Sequence, residues 1–508
     1  MAQVPTMQYK LIEKILKARV YDVARETPLE KARSLSSRFE NTIYLKREDL
    51  QPVFSFKLRG SFNCMHKLSP EAKARGVIAA SAGNHAQGVA YAGTHLGIST
   101  TIVMPVITPD IKVESVRAFG GKAVLHGNNF NEAFQYAEEL CAKQGLTFVH
   151  PFDDIEVIAG QGTVGMEITR QHPDPIDAIF ICCGGGGLLA GIGSWVKYLS
   201  PETRIIGVEH EEAPCMTQAL AAGERVTLEQ VGTFADGAAV KQAGEHTFAI
   251  AQEVVDEMIT VTTDETCAAI KDVFEDTRTL LEPAGALGVA GMKKYLQKTD
   301  IKDQELIAIC SGANVNFDRL RHVAERAELG ENREALFAVT VPEQPGSFRD
   351  FCLVISNRAV TEFNYRYAHN EEAKIFLGTK IADEADKNQF IEALGKQKYP
   401  VIDLSDNEVA KVHLRFLVGG HAADLKNERL FRCRFPERPG ALLHFLERMG
   451  HWNISLFHYR NHGSDFGRVL IGMQVPDEDW DAFNQHLDKI GYEYNEETDN
   501  PAYQHFLR

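Results

Sequence analysis

The sequence has 508 residues, of which 44% are hydrophobic and 24% are charged. This length predicts roughly two to four domains, and this composition excludes wholesale disorder and fibrous repeats. Lysine and arginine total 54 against 70 aspartate and glutamate, a formal net charge of −16, so general nucleic-acid binding is not expected. The nine cysteines have no C-x-x-C spacing, which predicts neither a disulfide framework nor a metal site.

The N-terminal region lacks the apolar core of a signal peptide, and no run of about 18 apolar residues occurs. We therefore expect a soluble, cytoplasmic protein with no membrane partner. Residues 10–20 are predicted as an amphipathic helix.

From about residue 40 to 310, short apolar runs alternate with helix-length segments. Parallel strands need crossover connections, so this alternation predicts an α/β domain with a mostly parallel sheet. The runs are continuously apolar, as expected for strands covered on both faces. The predicted strands are 42–48, 76–81, 100–105, 122–127, 178–183, 204–209 and 306–311.

The segment FSFKLRGSFN, residues 54–63, places Lys57 among aromatic and small residues. A lysine is most often a surface residue whose stem lies along apolar groups. A partly desolvated ammonium has a lowered pKa, however, and its neutral amine can form a Schiff base. Lys57 is therefore a candidate nucleophile.

The segment AASAGNHAQGVAYAG, residues 79–93, is predicted as a strand, a glycine loop and a helix that begins near Ala86. Asn84 and His85 lie at the turn. Backbone donors and a helix N-terminus in this position can hold a carboxylate. A loop histidine beside an asparagine more often orients the backbone than transfers protons, so His85 is left out of the catalytic set.

The segment AIFICCGGGGLLAGIGSWV, residues 178–196, leads from an apolar strand through four glycines into a helix that begins near Leu188. Glycines let successive amides converge on an anion, and the helix N-terminus adds partial positive charge. A phosphate is the expected ligand. Cys182 and Cys183 lie inside the strand, where buried packing is expected.

The same loop also satisfies a dinucleotide fingerprint. Gly185, Gly187 and Ala190 match G-x-G-x-x-A, and Glu209 ends the next predicted strand. On this loop alone, a dinucleotide and a smaller phosphorylated cofactor are equally favoured. One phosphate loop, one carboxylate loop and an embedded lysine together favour an amino acid joined to pyridoxal phosphate over a nicotinamide.

The sequence pattern changes after residue 320, where a charged helix and a polar break within 319–336 predict a linker. Beyond it, residues 337–349 align with 431–443 at an offset of 94. Each copy is predicted as a strand, a P-E-x-P-G turn and a helix. Duplicated α+β modules explain this better than coincidence. The matched residues are Pro342, Glu343, Pro345 and Gly346 with Pro436, Glu437, Pro439 and Gly440.

Three motifs carry a family resemblance: residues 55–60 (SFKLRG), 81–88 (SAGNHAQG) and 184–188 (GGGGL). They resemble the motifs of fold-type-II pyridoxal-phosphate enzymes, with the greatest likeness to threonine and serine dehydratases. With its duplicated C-terminal region, nearly the whole chain resembles the biosynthetic threonine ammonia-lyase family. The resemblance implies two α/β subdomains with mostly parallel sheets, followed by two α+β, ACT-like (ferredoxin-like) modules. The expected boundaries are a catalytic domain at 1–325, a linker at 326–335 and modules at 336–408 and 430–502.

The resemblance also implies roles for individual residues. Lys57 would bind pyridoxal 5′-phosphate covalently and then act as the base at Cα, with Phe56 against the cofactor ring. Glu282 resembles an acidic residue near the family's active site, although a helix-terminal charge beside Pro283 explains it equally well. Ser61 departs from the alanine that family members commonly have. The remaining expected contacts are Asn84 with the 3′-oxygen, Gly184, Gly185, Gly186, Gly187 and Leu188 with the phosphate, Ser311 with the pyridine nitrogen, and Ser81, Ala82, Gly83, Asn84 and His85 with the substrate.

The activity implied is the β-elimination of water from L-threonine, giving 2-oxobutanoate and ammonia at the first step of isoleucine biosynthesis. The ACT-like modules imply a homotetramer with isoleucine as inhibitor and valine as an opposing ligand, although such modules can also serve assembly alone. L-Serine remains a possible substrate. The alternatives are a serine dehydratase, a serine racemase or a cysteine-synthesis enzyme, a catalytically inert amino-acid sensor, and an NAD-linked enzyme.

Overall fold

The computed structural model folds into two compact units, one ending at Ala327 and the other beginning at Glu328. Of the repeated turn, Pro345, Glu437, Pro439 and Gly440 lie outside the described residues. The structure describes residues 6–317, 319–331, 333–344, 346–355, 358–366, 372–412, 414–416, 422, 425–436, 443, 452–460, 466–490 and 493–507.

The first unit contains two sheets. The larger has the order β1-β2-β10-β7-β8-β9 and is parallel except for β1, and the smaller has the order β5-β4-β3-β6 and is parallel throughout. All seven predicted strands are present. The strands are β1 Leu29–Lys31, β2 Thr42–Arg47, β3 Val77–Ala80, β4 Thr100–Met104, β5 Lys122–Leu125, β6 Thr147–Phe148, β7 Ala178–Cys182, β8 Arg204–His210, β9 Glu257–Val261 and β10 Glu305–Cys310.

The helices of this unit begin and end at local signals. Asp154 caps the N-terminus of one helix, and Gly97 ends another in the left-handed conformation. A third helix has both signals, with Asn129 as its N-cap and the left-handed Gly145 at its C-terminus. The helices are α1 Thr6–Leu16, α2 Arg33–Phe39, α3 Lys57–His66, α4 Pro70–Arg75, α5 Asn84–Leu96, α6 Asp110–Ala118, α7 Phe130–Gln144, α8 Ile155–Gln171, α9 Gly187–Leu199, α10 Cys215–Ala222, α11 Glu245–Val254, α12 Thr263–Thr277, α13 Pro283–Thr299 and α14 Arg319–Gly330.

The central strand β7 shows why the apolar runs are continuous. Ala178, Phe180 and Cys182 pack into one hydrophobic core, whereas Ile179 and Ile181 pack into another on the opposite face. Successive side chains of a strand point to opposite faces, so a strand between two cores needs an apolar residue at every position. The loops after β3, β7 and β10 leave the carboxyl ends of these strands.

Two predicted boundaries differ from the structure. The first helix spans Thr6–Leu16 rather than 10–20, and Val20–Asp22 form a separate 3₁₀ turn in which Val20 is buried. Helix α5 begins at Asn84, two residues earlier than predicted, because Gly83 serves as its N-cap. Asn84 and His85 therefore lie in the first helical turn.

The second unit is one eight-stranded antiparallel sheet with the order β14-β11-β13-β12-β16-β17-β15-β18. The α/β unit and this duplicated α+β unit confirm the predicted fold class. Their elements are β11 Glu334–Pro342, α15 Ser347–Ile355, β12 Val360–Arg366, β13 Glu372–Lys380, α16 Glu384–Lys396, β14 Val401–Asp403, α17 Glu408–Val412, β15 Glu428–Pro436, β16 Asn453–Arg460, β17 Phe466–Gln474, α18 Trp480–Ile490, β18 Glu493–Glu496 and α19 Pro501–Phe506.

Equivalent residues of the two sequence repeats occupy the hydrophobic core of this unit. Phe337 and Phe431 are equivalent at the offset of 94, and both are buried in the same cluster together with residues of α15, α16 and α18. The segment expected as a linker, 326–335, consists of the end of α14, a short break and the start of β11. Among the described residues, no helix is both long and apolar enough to cross a bilayer.

Candidate active site

The four glycines after β7 form a loop that packs tightly against its surroundings. A Cβ on Gly185 would overlap the ring of Phe152, and one on Gly184 would lie 2.9 Å from the carbonyl oxygen of Ala238. Gly186 has φ +96°, which favours glycine. Within the described residues, the amides of Gly184 to Gly187 have no hydrogen-bond acceptor. Together with the N-terminus of α9, they form a cradle for an anion.

Glu209, the acidic residue of the dinucleotide fingerprint, is used elsewhere. Its carboxylate accepts hydrogen bonds from the amides of Met216 and Thr217, both at 2.8 Å, and from the Thr217 hydroxyl at 2.6 Å. These groups belong to the first turn of α10. A carboxylate occupied by a helix N-terminus does not bind a ribose, so the structure does not support the dinucleotide hypothesis.

Lys57 is the first residue of α3 and lies close to the ring of Phe56, with its Nζ 5.3 Å from the ring centroid. The ammonium donates a hydrogen bond of 2.8 Å to the carbonyl oxygen of Pro151. Burial lowers the pKa of Lys57 to about 8, although Cys182 and Glu282 act in the opposite direction. A substantial fraction of the amine is therefore neutral near pH 8, as a nucleophile requires.

The segment 149–153 lies between the two glycine loops. The carbonyl of Val149 accepts a hydrogen bond from His85, and the ring of Phe152 packs against the tetraglycine loop. Asp153 accepts hydrogen bonds from the amides of Glu245 and His246 at 2.8 Å. Sequence reasoning missed this segment, and it carries no recognisable motif.

A chain of hydrogen bonds fixes the side chain of Asn84. Its Nδ2 donates to Oε1 of Glu282 at 2.5 Å, and its Oδ1 accepts from Nδ2 of Asn314 at 2.7 Å. Glu282 is only 4% exposed. Burial raises the pKa of Glu282 to about 7, and the bond from Asn84 partly offsets this. The carboxyl therefore contacts this cluster instead of serving only as a charge at the start of α13.

His85 is held as a neutral imidazole. Its Nε2–H donates to the Val149 carbonyl at 2.8 Å, and its Nδ1 lies 3.4 Å from the hydroxyl of Ser61, which can donate to it. Burial lowers the pKa of His85 to about 3, and the charge of Lys57 adds to the effect. Both ring nitrogens of His85 therefore have hydrogen-bond partners within the protein.

A buried ionic cluster anchors α3. Arg59 is fully buried, and its guanidinium donates to Glu48 at 2.8 Å and to Glu167 at 2.6 Å. Lys46 donates to the same Glu167 at 2.6 Å. Removing one member of such a buried cluster would leave an uncompensated charge. Because Arg59 belongs to α3, its bonds to Glu48 and Glu167 hold the helix that begins at Lys57 in place.

Comparisons with known proteins agree with this geometry. Residues 20–312 match the family described as pyridoxal-phosphate-dependent enzymes, and residues 325–414 and 419–507 match the C-terminal regulatory domain of threonine dehydratase. The chain is 54% identical to the biosynthetic L-threonine dehydratase IlvA of Burkholderia multivorans, covering 98% of this chain and 99% of the relative. Identity to the Escherichia coli IlvA is 51%, covering 97% and 96% respectively.

This chain belongs to the biosynthetic threonine dehydratase family. It is a pyridoxal-phosphate-dependent enzyme of the lyase type. Among solved structures, the processed form of threonine deaminase isoform 2 from Solanum lycopersicum is similar with a TM-score of 0.63 and 51% identity. That similarity covers 64% of this chain and 90% of the other.

The residues present fit the cofactor of this dehydratase family. The tetraglycine amides lack acceptors among the described residues, which suits a phosphate. Lys57 has the lowered pKa needed to bind a carbonyl group. The Ser55 hydroxyl, two residues earlier, is buried with no hydrogen-bond partner in the described structure. A buried hydroxyl of this kind is satisfied when a polar ligand lies beside it.

Most of the remaining expected residues lie at the carboxyl edge of the larger sheet, whereas Ser81 to Gly83 follow β3 of the smaller sheet. Ser311 directly follows β10, and its hydroxyl lies 3.3 Å from the carbonyl oxygen of Ala284. Cys182 and Cys183 are buried as expected, and burial raises the pKa of the Cys182 thiol to about 12. Leu188 is buried in the first turn of α9. The loop Ser81–Gly83 is partly exposed.

Three charged residues that sequence reasoning missed lie at the mouth of the site. Lys112 of α6 forms an ion pair of 2.7 Å with Asp236, and Arg319 lies 3.6 Å from the same carboxylate. With Glu282 and Asn314 they line a small cleft. Lys112 belongs to the four-stranded subdomain and Asp236 to the six-stranded one, so no local pattern could have predicted this contact.

Proposed function

We propose that this enzyme converts L-threonine into 2-oxobutanoate and ammonia. The observation that carries the proposal is the similarity of the whole chain, including its duplicated regulatory region, to biosynthetic threonine dehydratases. These relatives are named L-threonine dehydratases and align with nearly the whole chain. Their similarity therefore favours threonine dehydration over a serine dehydratase, a racemase or an inert sensor. When bound, pyridoxal phosphate supplies an electron sink that acidifies the Cα–H bond of an amino acid.

In this proposal, separate residues of the chain contact the phosphate, the ring and the 3′-oxygen of the cofactor. The amides of Gly184 to Leu188 would hold the cofactor phosphate, and Phe56 would lie against the ring. The second Nδ2–H of Asn84 would donate to the 3′-oxygen, because the first donates to Glu282. The Ser311 hydroxyl would lie at the pyridine nitrogen of the bound cofactor. A hydroxyl does not hold that nitrogen protonated as a carboxylate would, which favours elimination over a long-lived carbanion.

The substrate is held by the other loop. The backbone amides of Ser81, Ala82, Gly83, Asn84 and His85, at the N-terminus of α5, bind its carboxylate. With the cofactor bound, Lys57 would hold it covalently and, when released by the substrate amine, would take the proton from Cα. Its lowered pKa suits this base. Loss of the β-hydroxyl as water and later hydrolysis of the C–N bond give the two products.

We further propose that isoleucine inhibits the enzyme through the second unit, that valine opposes it, and that the protein is a cytoplasmic homotetramer. Regulation by an end product requires two global states that bind the effector differently. All nine cysteines are free thiols, and eight of them are buried, which suits a reducing compartment.

The test is keto-acid release from L-threonine with and without L-isoleucine, with L-serine as a parallel substrate. We expect release from threonine that isoleucine suppresses. Release from serine alone would contradict the substrate assignment. Release from threonine that neither isoleucine nor valine alters would contradict the proposed regulation while leaving the activity intact.

A further inference from the structure

His85 lies between the helix that carries Lys57 and the segment 149–153. Its imidazole belongs to the first turn of α5, and both this ring and the Ser61 side chain of α3 are buried. The two helices pack closely here, since a Cβ on Gly88 would lie 3.1 Å from the Ser61 hydroxyl oxygen and 3.2 Å from the carbonyl carbon of Lys57. Because protein interiors are close-packed, a shift of α5 at this point would displace the first turn of α3.

The hydrogen bonds of His85 connect α3 with the segment 149–153. Its Nε2–H donates to the Val149 carbonyl at 2.8 Å, and the Ser61 hydroxyl, 3.4 Å from Nδ1, can donate to the other nitrogen. A neutral imidazole has one donor and one acceptor nitrogen, so a hydroxyl that donates to Nδ1 selects the tautomer with its proton on Nε2. The Ser61 hydroxyl therefore favours the tautomer that can donate to Val149.

The segment that accepts a hydrogen bond from His85 also accepts one from Lys57. The carbonyl of Pro151, two residues after Val149, receives the bond of 2.8 Å from Nζ of Lys57. The amide of Val149 donates to the carbonyl of Ile78 on β3 at 2.9 Å. Main-chain bonds hold Val149 on the side of β3, and the bond from His85 holds it on the side of α5.

The segment is stiff between the two carbonyl groups. A proline fixes its own φ and restricts the residue before it, and here these residues are Pro151 and His150. The ring of His150 also accepts a hydrogen bond of 2.8 Å from the amide of Asp153, which closes the turn after Pro151. A displacement of the Val149 carbonyl would therefore move the Pro151 carbonyl, to which Lys57 donates.

We propose that His85 is a positioning residue that sets the location of the carbonyl group to which Lys57 donates. The inference rests on the proposed role of Lys57 and adds a residue that acts on it through the main chain. A carbonyl acceptor stabilises the ammonium form of a lysine. The bond to Pro151 therefore helps to determine the pH at which the neutral amine of Lys57 appears, and His85 controls that bond without carrying a proton.

Replacing His85 by an amide changes no charge near Lys57. Cys182 and Glu282 both act to raise the pKa of Lys57, and burial outweighs them and lowers it to about 8. Burial also lowers the pKa of the His150 ring, and it lowers the pKa of His85 to about 3. The His85 ring is therefore uncharged wherever Lys57 titrates. A shift in the titration of Lys57 in such a variant reports the hydrogen bond and not an altered charge.

The experiment compares two amide variants of the cofactor-free enzyme. The side-chain amide of asparagine reaches about as far from Cβ as Nδ1 of histidine, and that of glutamine about as far as Nε2, so only His85→Gln can still donate to Val149. Peptide mass spectrometry follows the modification of Lys57 by an amine reagent against pH. In His85→Asn we expect the midpoint to fall by about 0.5 to 1 pH unit, because the ammonium loses its fixed acceptor. In His85→Gln we expect the wild-type midpoint.

The matched control is Asn63→Leu. Asn63 lies on the same helix as Lys57, and its side chain donates a hydrogen bond of 2.7 Å to the carbonyl of Glu156. Loss of this buried bond should lower the unfolding temperature and leave the midpoint of Lys57 modification at its wild-type value. The control therefore separates a general loss of stability from a specific effect on Lys57.

A folded His85→Asn enzyme with the wild-type midpoint would overturn the proposal, and so would equal shifts in His85→Asn and His85→Gln. If His85→Asn does not fold, His85→Phe takes its place, because it keeps a ring and lacks the donor, and the same fall in midpoint is expected. The measurement needs neither cofactor nor threonine. An enzyme that releases no keto acid from threonine would therefore contradict the proposed function without deciding the role of His85.

Discussion

The two glycine loops of the first unit have the same local architecture but work differently. Each leaves the carboxyl end of a parallel strand and enters a helix, β3 to α5 in one case and β7 to α9 in the other. At Gly185 a Cβ would overlap the ring of Phe152, whereas at Gly83 a Cβ would find no atom within 4 Å. The tetraglycine loop is thus shaped by packing, and the other loop is open.

The difference extends to chemistry. The tetraglycine loop has no side chains, so it presents only amides, whose hydrogen-bonding capacity does not change with pH. The loop that leads into α5 relies on Asn84, which is bonded to Glu282, and this carboxyl titrates near neutrality. The hydrogen-bond donors of the phosphate cradle therefore do not change with pH, whereas the protonation of the neighbouring Glu282 does. Four predictions test this division.

The largest effect is expected at Lys57, which lies beside both loops. In Lys57→Ala we expect turnover of threonine to fall at least about a thousandfold, while phosphate binding by the glycine cradle persists. The measurements are the keto-acid assay and equilibrium dialysis with inorganic phosphate. Lys67→Ala, in which the lost lysine pairs with Glu156 on the surface, should remain fully active. Substantial turnover in Lys57→Ala would contradict the assignment.

The second prediction concerns the pH dependence of Lys57 in the cofactor-free enzyme. A lysine with a pKa of about 8 is half neutral at pH 8, against less than about 1% for an ordinary lysine. Because only the neutral amine reacts, modification of Lys57 by an amine reagent should rise through a midpoint near pH 8. Peptide mass spectrometry measures it, with surface lysines as internal controls. A midpoint above pH 10 would refute the desolvated environment.

The third prediction compares the loops directly. Gly185→Ala should weaken cofactor binding by about tenfold to a hundredfold, because overpacking against Phe152 costs about 1–3 kcal/mol. Gly83→Ala should leave both cofactor affinity and stability nearly unchanged. Titration of the cofactor-free enzyme with pyridoxal phosphate measures both. Adding Phe152→Ala should restore part of the cofactor affinity lost in Gly185→Ala. Equal losses of affinity in Gly185→Ala and Gly83→Ala would contradict the difference between the two loops.

The smallest effect is expected from Glu282→Gln in the cofactor-free enzyme. The raised pKa means that the native state keeps its proton between about pH 4.5 and 7 while the unfolded chain loses it. The stabilisation that the Glu282 carboxyl contributes to the wild type is fully present below about pH 4.5, and it is lost as the pH rises through about 7. The glutamine variant should therefore gain roughly 1–3 kcal/mol over wild type at pH 8 relative to pH 5. Urea unfolding at pH 5 and pH 8 measures this, and an equal difference between variant and wild type at the two pH values would contradict it.

Much of the fold could be predicted because its signals are local. The strand followed by four glycines and a helix is contiguous, and the repeat at the offset of 94 is visible in the chain itself. Lys57 could be proposed from its neighbours in the sequence. The exact start of α5 could not, because whether Gly83 acts as the N-cap depends on the backbone around it.

The contacts that define the site come from distant parts of the chain. Asn84 and Glu282 are 198 residues apart, and the carbonyl that accepts from Lys57 lies 94 residues away. Tertiary contacts also decide the role of Glu209. Its position in the sequence matches a dinucleotide-binding motif, but its carboxylate accepts hydrogen bonds from the first turn of α10.

The sequence alone therefore determined the elements, the duplication and the candidate chemical groups, because periodicity and glycine content act over a few residues. Only the tertiary structure decided which groups meet. It places β10 beside β7 in one sheet, and it pairs β12 with β16 in the other. Partner choice across hundreds of residues depends on how strands and helices pack together, and no short stretch of sequence encodes that packing.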